Sequence, residues 1–173
     1  MQIQLTRVRT EPFTWQETLE VSPESLGFPE LLALGPIRWS GRVSFADPGF
    51  YLAGRLRYEQ TLACDRCLAR FTETVDEPVE ALLLVDEPQV RDGERELDEE
   101  DLGVIHLQGE RFDTRPLVLE NLQLNLPMKP VCRPDCAGLC PHCGADRNTV
   151  KCDCKTDRVD PRWAALEKLE LGS

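Results

Sequence analysis

The residues of this chain best suited to chemistry are eight cysteines, arranged as one pair and one cluster of six. The pair is the C-x-x-C sequence of Cys64 and Cys67. The other six fall between residues 132 and 154: Cys132, Cys136, Cys140, Cys143, Cys152 and Cys154. Four thiolates complete the tetrahedral shell of a structural zinc ion. Eight cysteines therefore predict two metal sites, and we expect two zinc ions as the cofactor.

The clearest local pattern is C-x2-C-x8-C-x-C, which starts at Cys140 and ends at Cys154. A two-residue gap lets both sulfurs of a C-x-x-C pair face one ion. Gly144, directly after the second cysteine, tolerates the backbone conformation that directs amide hydrogens toward sulfur. The segment 145–151 is long enough for a hairpin. These four cysteines therefore predict a locally closed site.

The pair Cys64 and Cys67 lies between two strand-like runs, so it is predicted to form a hairpin tip. Leu68 stands where a zinc knuckle usually has glycine, which weakens the match. One partition of the ligands completes this site with Cys132 and Cys136, since loop-closure entropy grows only slowly with loop length. The other joins the pair to Cys152 and Cys154 and groups the remaining four cysteines. An iron–sulfur cluster also suits four cysteines and stays an alternative to zinc.

Catalytic residues are scarce in this sequence. A catalytic zinc keeps an open coordination position and usually has histidine or carboxylate ligands. The two histidines are His106, in an apolar strand-like run, and His142, inside a C-x-x-C pair. If every thiol binds metal, no nucleophile remains, and no phosphate-binding loop or Ser/His/Asp pattern is present. The chain is therefore predicted not to be an enzyme.

The expected compartment follows from the absence of long apolar runs. None exceeds the five residues 81–85, which is too short for a transmembrane helix or the apolar part of a signal peptide. The first five residues carry no basic side chain. We therefore expect a cytoplasmic protein without a membrane partner. Thiols stay reduced there, which favours metal ligation over disulfides.

Charge is distributed unevenly in this chain of net charge −11. Residues 1–127 hold 12 basic and 24 acidic residues, whereas residues 128–173 hold 8 and 7, including all four lysines. Nine of the acids fall within residues 86–101, which reads as a solvated loop or, alternatively, as a docking strip for a basic partner. The negative electrostatic field of residues 1–127 is expected to repel bulk nucleic acid and to attract basic proteins.

The hydrophobic pattern predicts an α+β fold. Apolar residues alternate with polar ones over 37–62 and again over 71–85, which suits an antiparallel sheet with one solvated face. Pro78 should mark a bulge or a sheet edge. Asp113 should cap a helix, and Asp160 should open a last one.

We expect two parts within that fold. Residues 1–127 would form an acidic β-rich domain. Residues 128–173 would form a Cys-rich metal-binding module with a C-terminal helix, tied back to a hairpin of the sheet.

Several motifs together resemble the YceD family, the large ribosomal RNA subunit accumulation proteins of bacteria, which have plant organelle relatives. The resemblance rests on Cys64-Asp-Arg-Cys67-Leu68, Leu126-Pro-Met-Lys-Pro130, the cysteine and glycine array from Cys132 to Gly144, Asn148, and Asp160-Pro-Arg-Trp-Ala-Ala-Leu166. It implies a non-enzymatic role in 23S rRNA accumulation and large-subunit assembly. The implied partners are a large-subunit rRNA precursor, a basic ribosomal protein, or both.

Nine basic residues lie near the cysteines in sequence and are candidates for partner binding. If the fold gathers them, they form a positive patch that could hold phosphates; otherwise they are ordinary surface charge. They are Arg66, Arg70, Lys129, Arg133, Arg147, Lys151, Lys155, Arg158 and Arg162. Two other functions remain open, a thiol-based redox sensor that releases zinc and a metal-dependent hydrolase.

Overall fold

The computed structural model describes residues 1–85, 103–154 and 162, and within them the fold is α+β, as predicted. The acidic segment 86–101 and the predicted C-terminal helix lie outside the described residues, apart from the single position Arg162.

Eight strands, two α-helices and one 3-10 helix form the described part of the chain. Their order is β1 Gln2–Gln4, α1 Leu5–Val8, β2 Phe13–Leu19, the 3-10 helix Pro23–Leu26, β3 Leu31–Leu34, β4 Ile37–Ala46, β5 Gly49–Ala63, β6 Arg70–Leu84, β7 Val104–His106, β8 Arg111–Asp113 and α2 Thr114–Leu124.

The main sheet has six strands in the order β2-β4-β5-β6-β7, with β3 also paired to β5. β5 is its centre, because β6 pairs along its whole length while β4 and then β3 share its other edge. All these pairs are antiparallel except β6 with the three-residue β7, which is parallel. β1 and β8 form a separate two-stranded antiparallel sheet.

The predicted alternation is confirmed in β4, where one side of the strand is buried and the other is solvated. Ile37, Trp39 and Val43 are fully buried, while Arg38 and Arg42 are exposed. Side chains of successive strand residues point to opposite faces, so this pattern gives the sheet one apolar and one polar face.

Pro78 lies at an open edge of β6 and not at a bulge. Its position opposite Arg55 is part of an unbroken register between β5 and β6. On the other side of β6, the described strands pair only with Leu82, Leu83 and Leu84. A proline is tolerated there because no neighbour requires its missing N–H.

Helix α2 begins as the sequence predicts. The Asp113 side chain accepts a hydrogen bond from the Arg115 backbone N–H at 3.0 Å, and Val118 and Leu122 are buried in the core. The helix ends at Leu124.

The chain leaves α2 and returns to the tip of the β5–β6 hairpin. The Asp65 N–H donates to the Pro130 carbonyl at 2.9 Å, and the Leu139 N–H donates to the Arg66 carbonyl at 2.9 Å. We call residues 130–139 the return segment. Its two hydrogen bonds to the hairpin tip place two cysteines of the C-terminal cluster beside the pair at the tip.

The core beneath the sheet predicts that Gly54→Ala is destabilising. A Cβ at Gly54 would overlap the ring of the fully buried Trp39. Overpacking of this kind costs about 1–3 kcal/mol, so thermal unfolding should shift to a clearly lower temperature. Gly103→Ala is the control, because a Cβ there meets no atom within 4 Å. Equal melting temperatures for the two variants would contradict this account of the core.

Candidate metal centres

The first candidate centre joins the hairpin tip to the return segment. Cys64 and Cys67 lie at the tip, and Cys132 and Cys136 lie on the return segment. The Sγ atoms of Cys64 and Cys136 are 3.9 Å apart, and those of Cys67 and Cys132 are 3.7 Å apart. Zn–S bonds of 2.3 Å give a tetrahedron whose sulfur–sulfur edges are about 3.8 Å. These two distances match the edges of a zinc site, and every other sulfur–sulfur distance in the cluster is within 4.8 Å.

The second candidate centre is local in sequence. Cys140, Cys143, Cys152 and Cys154 bring their Sγ atoms within 4.8 Å of one another, as do the four cysteines of the first cluster. Cys140 is buried, Cys143 is exposed and the other two are intermediate. All eight cysteines are free thiols, so neither cluster is a disulfide pair. The second cluster is the more accessible to solvent of the two.

Both C-x-x-C pairs form the same turn. The Leu68 N–H donates to the Cys64 carbonyl at 2.8 Å, and the Gly144 N–H donates to the Cys140 carbonyl at 2.9 Å. Leu68 has φ +61°, close to the +72° of Gly144. Leu68 therefore adopts the left-handed conformation of the glycine that it replaces, although this costs a non-glycine residue about 1–2 kcal/mol.

Backbone amides in these turns lower the pKa of the first cysteine of each pair. Burial raises the pKa of Cys64, but the amides of Cys132, Cys67 and Arg66 outweigh it and bring the pKa to about 6. The amides of Cys143 and His142 bring the pKa of Cys140 to about 6 as well. Amide hydrogens stabilise the thiolate, which is the form that binds a metal.

One further thiol in each cluster has a pKa that its neighbours raise. Burial and hydrogen bonding to Cys67 raise the pKa of Cys132 to about 12. Hydrogen bonding to Cys143 and Cys140 raises the pKa of Cys154 to about 12. Several thiolates cannot stay together without a cation among them. Each cluster therefore has the electrostatic character of a cation site.

Asn148 connects the two centres. Its Nδ2 donates to the Cys136 Sγ at 3.5 Å and to the Asp146 Oδ1 at 2.7 Å. Its Oδ1 accepts from the Ala137 N–H and from Arg133 Nη2, both at 2.8 Å. Asn148 lies between the cysteine pairs of the second centre, yet it holds a cysteine of the first. Its only trace in the sequence is its place among the motifs of the family resemblance, which gave it no role.

Gly138 makes the close approach of the return segment to the hairpin tip possible. It has φ +68°, and a Cβ on it would lie 2.9 Å from the Arg66 carbonyl oxygen. The Arg66 Nη1 donates to the Cys136 carbonyl at 3.0 Å. The short spacer 137–139 between the two centres is therefore held on both sides by hydrogen bonds to the tip.

The structure places the nine candidate partner-binding residues in three groups. Arg66 and Arg133 bond within the first centre, and Arg133 also lies 3.4 Å from Asp135. Five others are exposed: Arg70, Lys129, Arg147, Lys151 and Arg162. Lys155 and Arg158 lie outside the described residues. Both histidines are exposed and neither belongs to a cysteine cluster; His106 ends β7, and His142 lies in the second C-x-x-C turn.

Within the described part of the chain, no helix combines the length and the apolar character needed to cross a membrane.

The family model described as "Large ribosomal RNA subunit accumulation protein YceD" matches residues 52–170. Uncharacterized protein Rv2926c of Mycobacterium tuberculosis strain H37Rv is 27% identical over 175 residues, covering 98% of this chain and 81% of the relative. Uncharacterized protein YlbN of Bacillus subtilis strain 168 is 26% identical over 167 residues, covering 96% and 92%. No solved structure matches this chain significantly.

The position of Asn148 predicts that Asn148→Ala weakens metal binding at the first centre. The change removes one hydrogen bond to Cys136 and two to the return segment. Loss of such a partner around a metal ligand typically costs about 10–100-fold in affinity. Competition with a chelator should therefore remove zinc from this variant at a lower chelator concentration.

Thr149→Ala is the matched control for that experiment, because the Thr149 hydroxyl is exposed and, among the described residues, bonds only to the Asp146 carbonyl in its own turn. Equal loss of zinc from both variants would mean that Asn148 does not support the first centre.

Proposed function

Since the chain belongs to the YceD family, we propose that it is a non-enzymatic factor that supports 23S rRNA accumulation and assembly of the large ribosomal subunit. Two structural zinc ions hold its C-terminal part in shape. The observation that carries the metal part of this proposal is the pair of four-cysteine clusters. The name of the family, which concerns accumulation of ribosomal RNA and not a reaction, supports the cellular part.

Closed coordination is the argument against a hydrolase. Each cluster supplies four sulfur atoms, which fill a tetrahedral shell and leave no position for an activated water. Neither histidine belongs to a cluster. A metal held in this way stabilises a fold and does not polarise a substrate, so we assign zinc a structural role in both centres.

We propose that Cys64, Cys67, Cys132 and Cys136 bind the first ion, and that Cys140, Cys143, Cys152 and Cys154 bind the second. The first ion would then link the β5–β6 hairpin to the segment after α2. We also keep the division of the chain near residue 127 as a proposal. In that division the first zinc is the joint between the two parts.

The exposed cations of the second centre are the proposed contact with the rRNA precursor. Arg147 and Lys151 lie between its cysteine pairs and are both exposed. No acidic side chain forms an ion pair with either one among the described residues. Cations without an acidic partner remain available to phosphates. The acidic segment 86–101 would serve a different partner, a basic ribosomal protein.

The redox sensor remains the second candidate, and the exposure of Cys143 is the observation that favours it. Exposed cysteines are the ones that oxidants reach first. Reversible release of zinc from the second centre at a physiological dose of peroxide would establish this role. Retention of zinc at that dose would exclude the redox sensor and favour the assembly factor.

Metal content is the first prediction of the proposal. Protein purified without chelator should contain about two equivalents of zinc per chain, because eight thiolates fill two tetrahedral shells. A double Cys140→Ser, Cys143→Ser variant should retain about one equivalent, since two oxygens replace half of one shell. Elemental analysis of both proteins is the measurement. Iron in place of zinc, or free thiols without metal, would contradict the proposal.

Partner binding is the second prediction. Replacing Arg147 and Lys151 with glutamate should reduce recovery of large-subunit precursors in a pull-down from growing cells, because the new carboxylates repel phosphates. A double Arg111→Glu, Arg115→Glu variant is the control, with the same change in charge at two exposed positions, one in β8 and one in the first turn of α2. Unchanged recovery with the first variant would mean that the second centre does not contact the precursor.

A further inference from the structure

We propose that the solvated face of the main sheet is an RNA-binding surface, on which arginines of β4 and β5 hold backbone phosphates. This inference rests on the proposed function, because it takes large-subunit rRNA as the occupant. It adds a contact surface remote in sequence from the second cysteine centre.

Four arginines share this face because of strand register. Arg38 of β4 stands opposite Arg57 of β5, and Ser40, two residues along, stands opposite Arg55. Arg42 follows after two more residues, opposite Ala53. All four arginines are exposed. We call Arg38, Arg42, Arg55 and Arg57 the arginine face.

Positive charge is in excess on the arginine face. Asp76 of β6 binds both Arg55 and Arg57, and its Oδ2 lies 2.7 Å from Arg57 Nη2. The guanidinium groups of Arg57 and Arg55 hold the pKa of Asp76 well below its usual range, so it stays ionised. By strand register Glu59 of β5 and Glu80 of β6 lie on the same face, so four arginines meet three carboxylates and the excess is one positive charge. Arg38 and Arg42 form no ion pair with any of the described residues.

This arrangement costs stability, which argues that it serves a ligand. Like charges directly opposite each other on neighbouring strands are destabilising, and Arg38 and Arg57 form such a pair. Neutral side chains would pack there without repulsion. A multivalent anion above the face would remove the repulsion and bind several guanidinium groups at once.

The chemistry of the face suits phosphates. Guanidinium groups are planar and can donate two parallel hydrogen bonds to a phosphate. The neighbouring strand β2 adds neutral hydrogen-bond donors to this face. They are Thr14, Gln16 and Thr18, which stand opposite Arg42, Ser40 and Arg38 of β4. Tyr51 is 39% exposed on the same side of β5, where its ring can stack on an unpaired base. A pocket of 450 Å³ adjoins Arg38, Arg57 and Asp76.

Charge complementarity favours RNA over protein as the occupant. The other components of a large ribosomal subunit are basic proteins, which the arginine face would repel. The chain as a whole carries −11 and repels nucleic acid at long range, so binding of RNA here depends on short-range contacts between phosphates and these arginines. An acidic protein partner is the alternative that the experiment must separate.

The test compares zinc-loaded full-length variants for binding to large-subunit rRNA transcribed in vitro, over a range of salt concentrations. Replacing Arg38 and Arg42 with glutamine should weaken binding about tenfold and reduce the salt slope by about 1.4–1.8, the value for two lost phosphate contacts. Arg111→Gln with Arg115→Gln is the control of equal charge and should match the wild type. Arg38→Lys with Arg42→Lys should keep the salt slope but bind more weakly, because lysine cannot donate the parallel pair.

Loss of binding confined to the Arg38 and Arg42 variants, with unchanged melting temperature and zinc content, would support the proposal. Three results would overturn it. The first is full rRNA binding by the glutamine variant, and the second is an equal loss of binding in the glutamine variant and its control. The third concerns polyglutamate, the probe for an acidic protein partner: the glutamine variant would lose binding to polyglutamate but keep binding to rRNA. If the arginine variants bind normally while charge reversal at Arg147 and Lys151 abolishes precursor association, the sheet face is wrong and the proposed function stands.

Discussion

The attachment of the return segment to the tip of the β5–β6 hairpin is the interaction on which the rest of the site depends. Two backbone hydrogen bonds of 2.9 Å, from Asp65 and from Leu139, bring four sulfurs together from two parts of the chain that have 64 residues between them. A zinc ion in that position would add metal–sulfur bonds to the same contact. The hairpin tip directly follows the two longest strands, which pair along their whole length. The sheet therefore holds Cys64 and Cys67 of the first centre in place.

The second centre depends on the first more than its local sequence pattern indicates. Asn148, inside the second centre, bonds to Cys136 of the first, and the spacer 137–139 leaves little freedom between them. Gly138 permits that spacing, since any side chain would collide with the Arg66 carbonyl. We therefore expect the two ions to stabilise one structural unit, with the sheet as its support.

The two faces of the sheet have opposite roles. The apolar face holds the core around Trp39, Phe50 and Leu52, which are almost completely buried. The polar face collects arginines in a chain that is acidic overall, and the nine acids of 86–101 lie in a separate stretch of sequence. Under the proposed function, an rRNA precursor and a basic protein would each meet a surface of complementary charge.

Local sequence determined the features that depend on neighbouring residues: the alternation of β4, the cap at Asp113, the turns at both C-x-x-C pairs and the closed pattern from Cys140 to Cys154. The cap and the two turns close hydrogen bonds over two to four residues, and the alternation of β4 repeats every two residues, so spacing along the chain predicts them. The division of the eight cysteines between centres was left open, because strand pairing decides which distant segments meet. The role of Asn148 and the parallel pairing of β7 were also decided by tertiary contacts, which spacing along one chain does not encode. The arginine face belongs with these, since only the register of β4 against β5 aligns its four side chains.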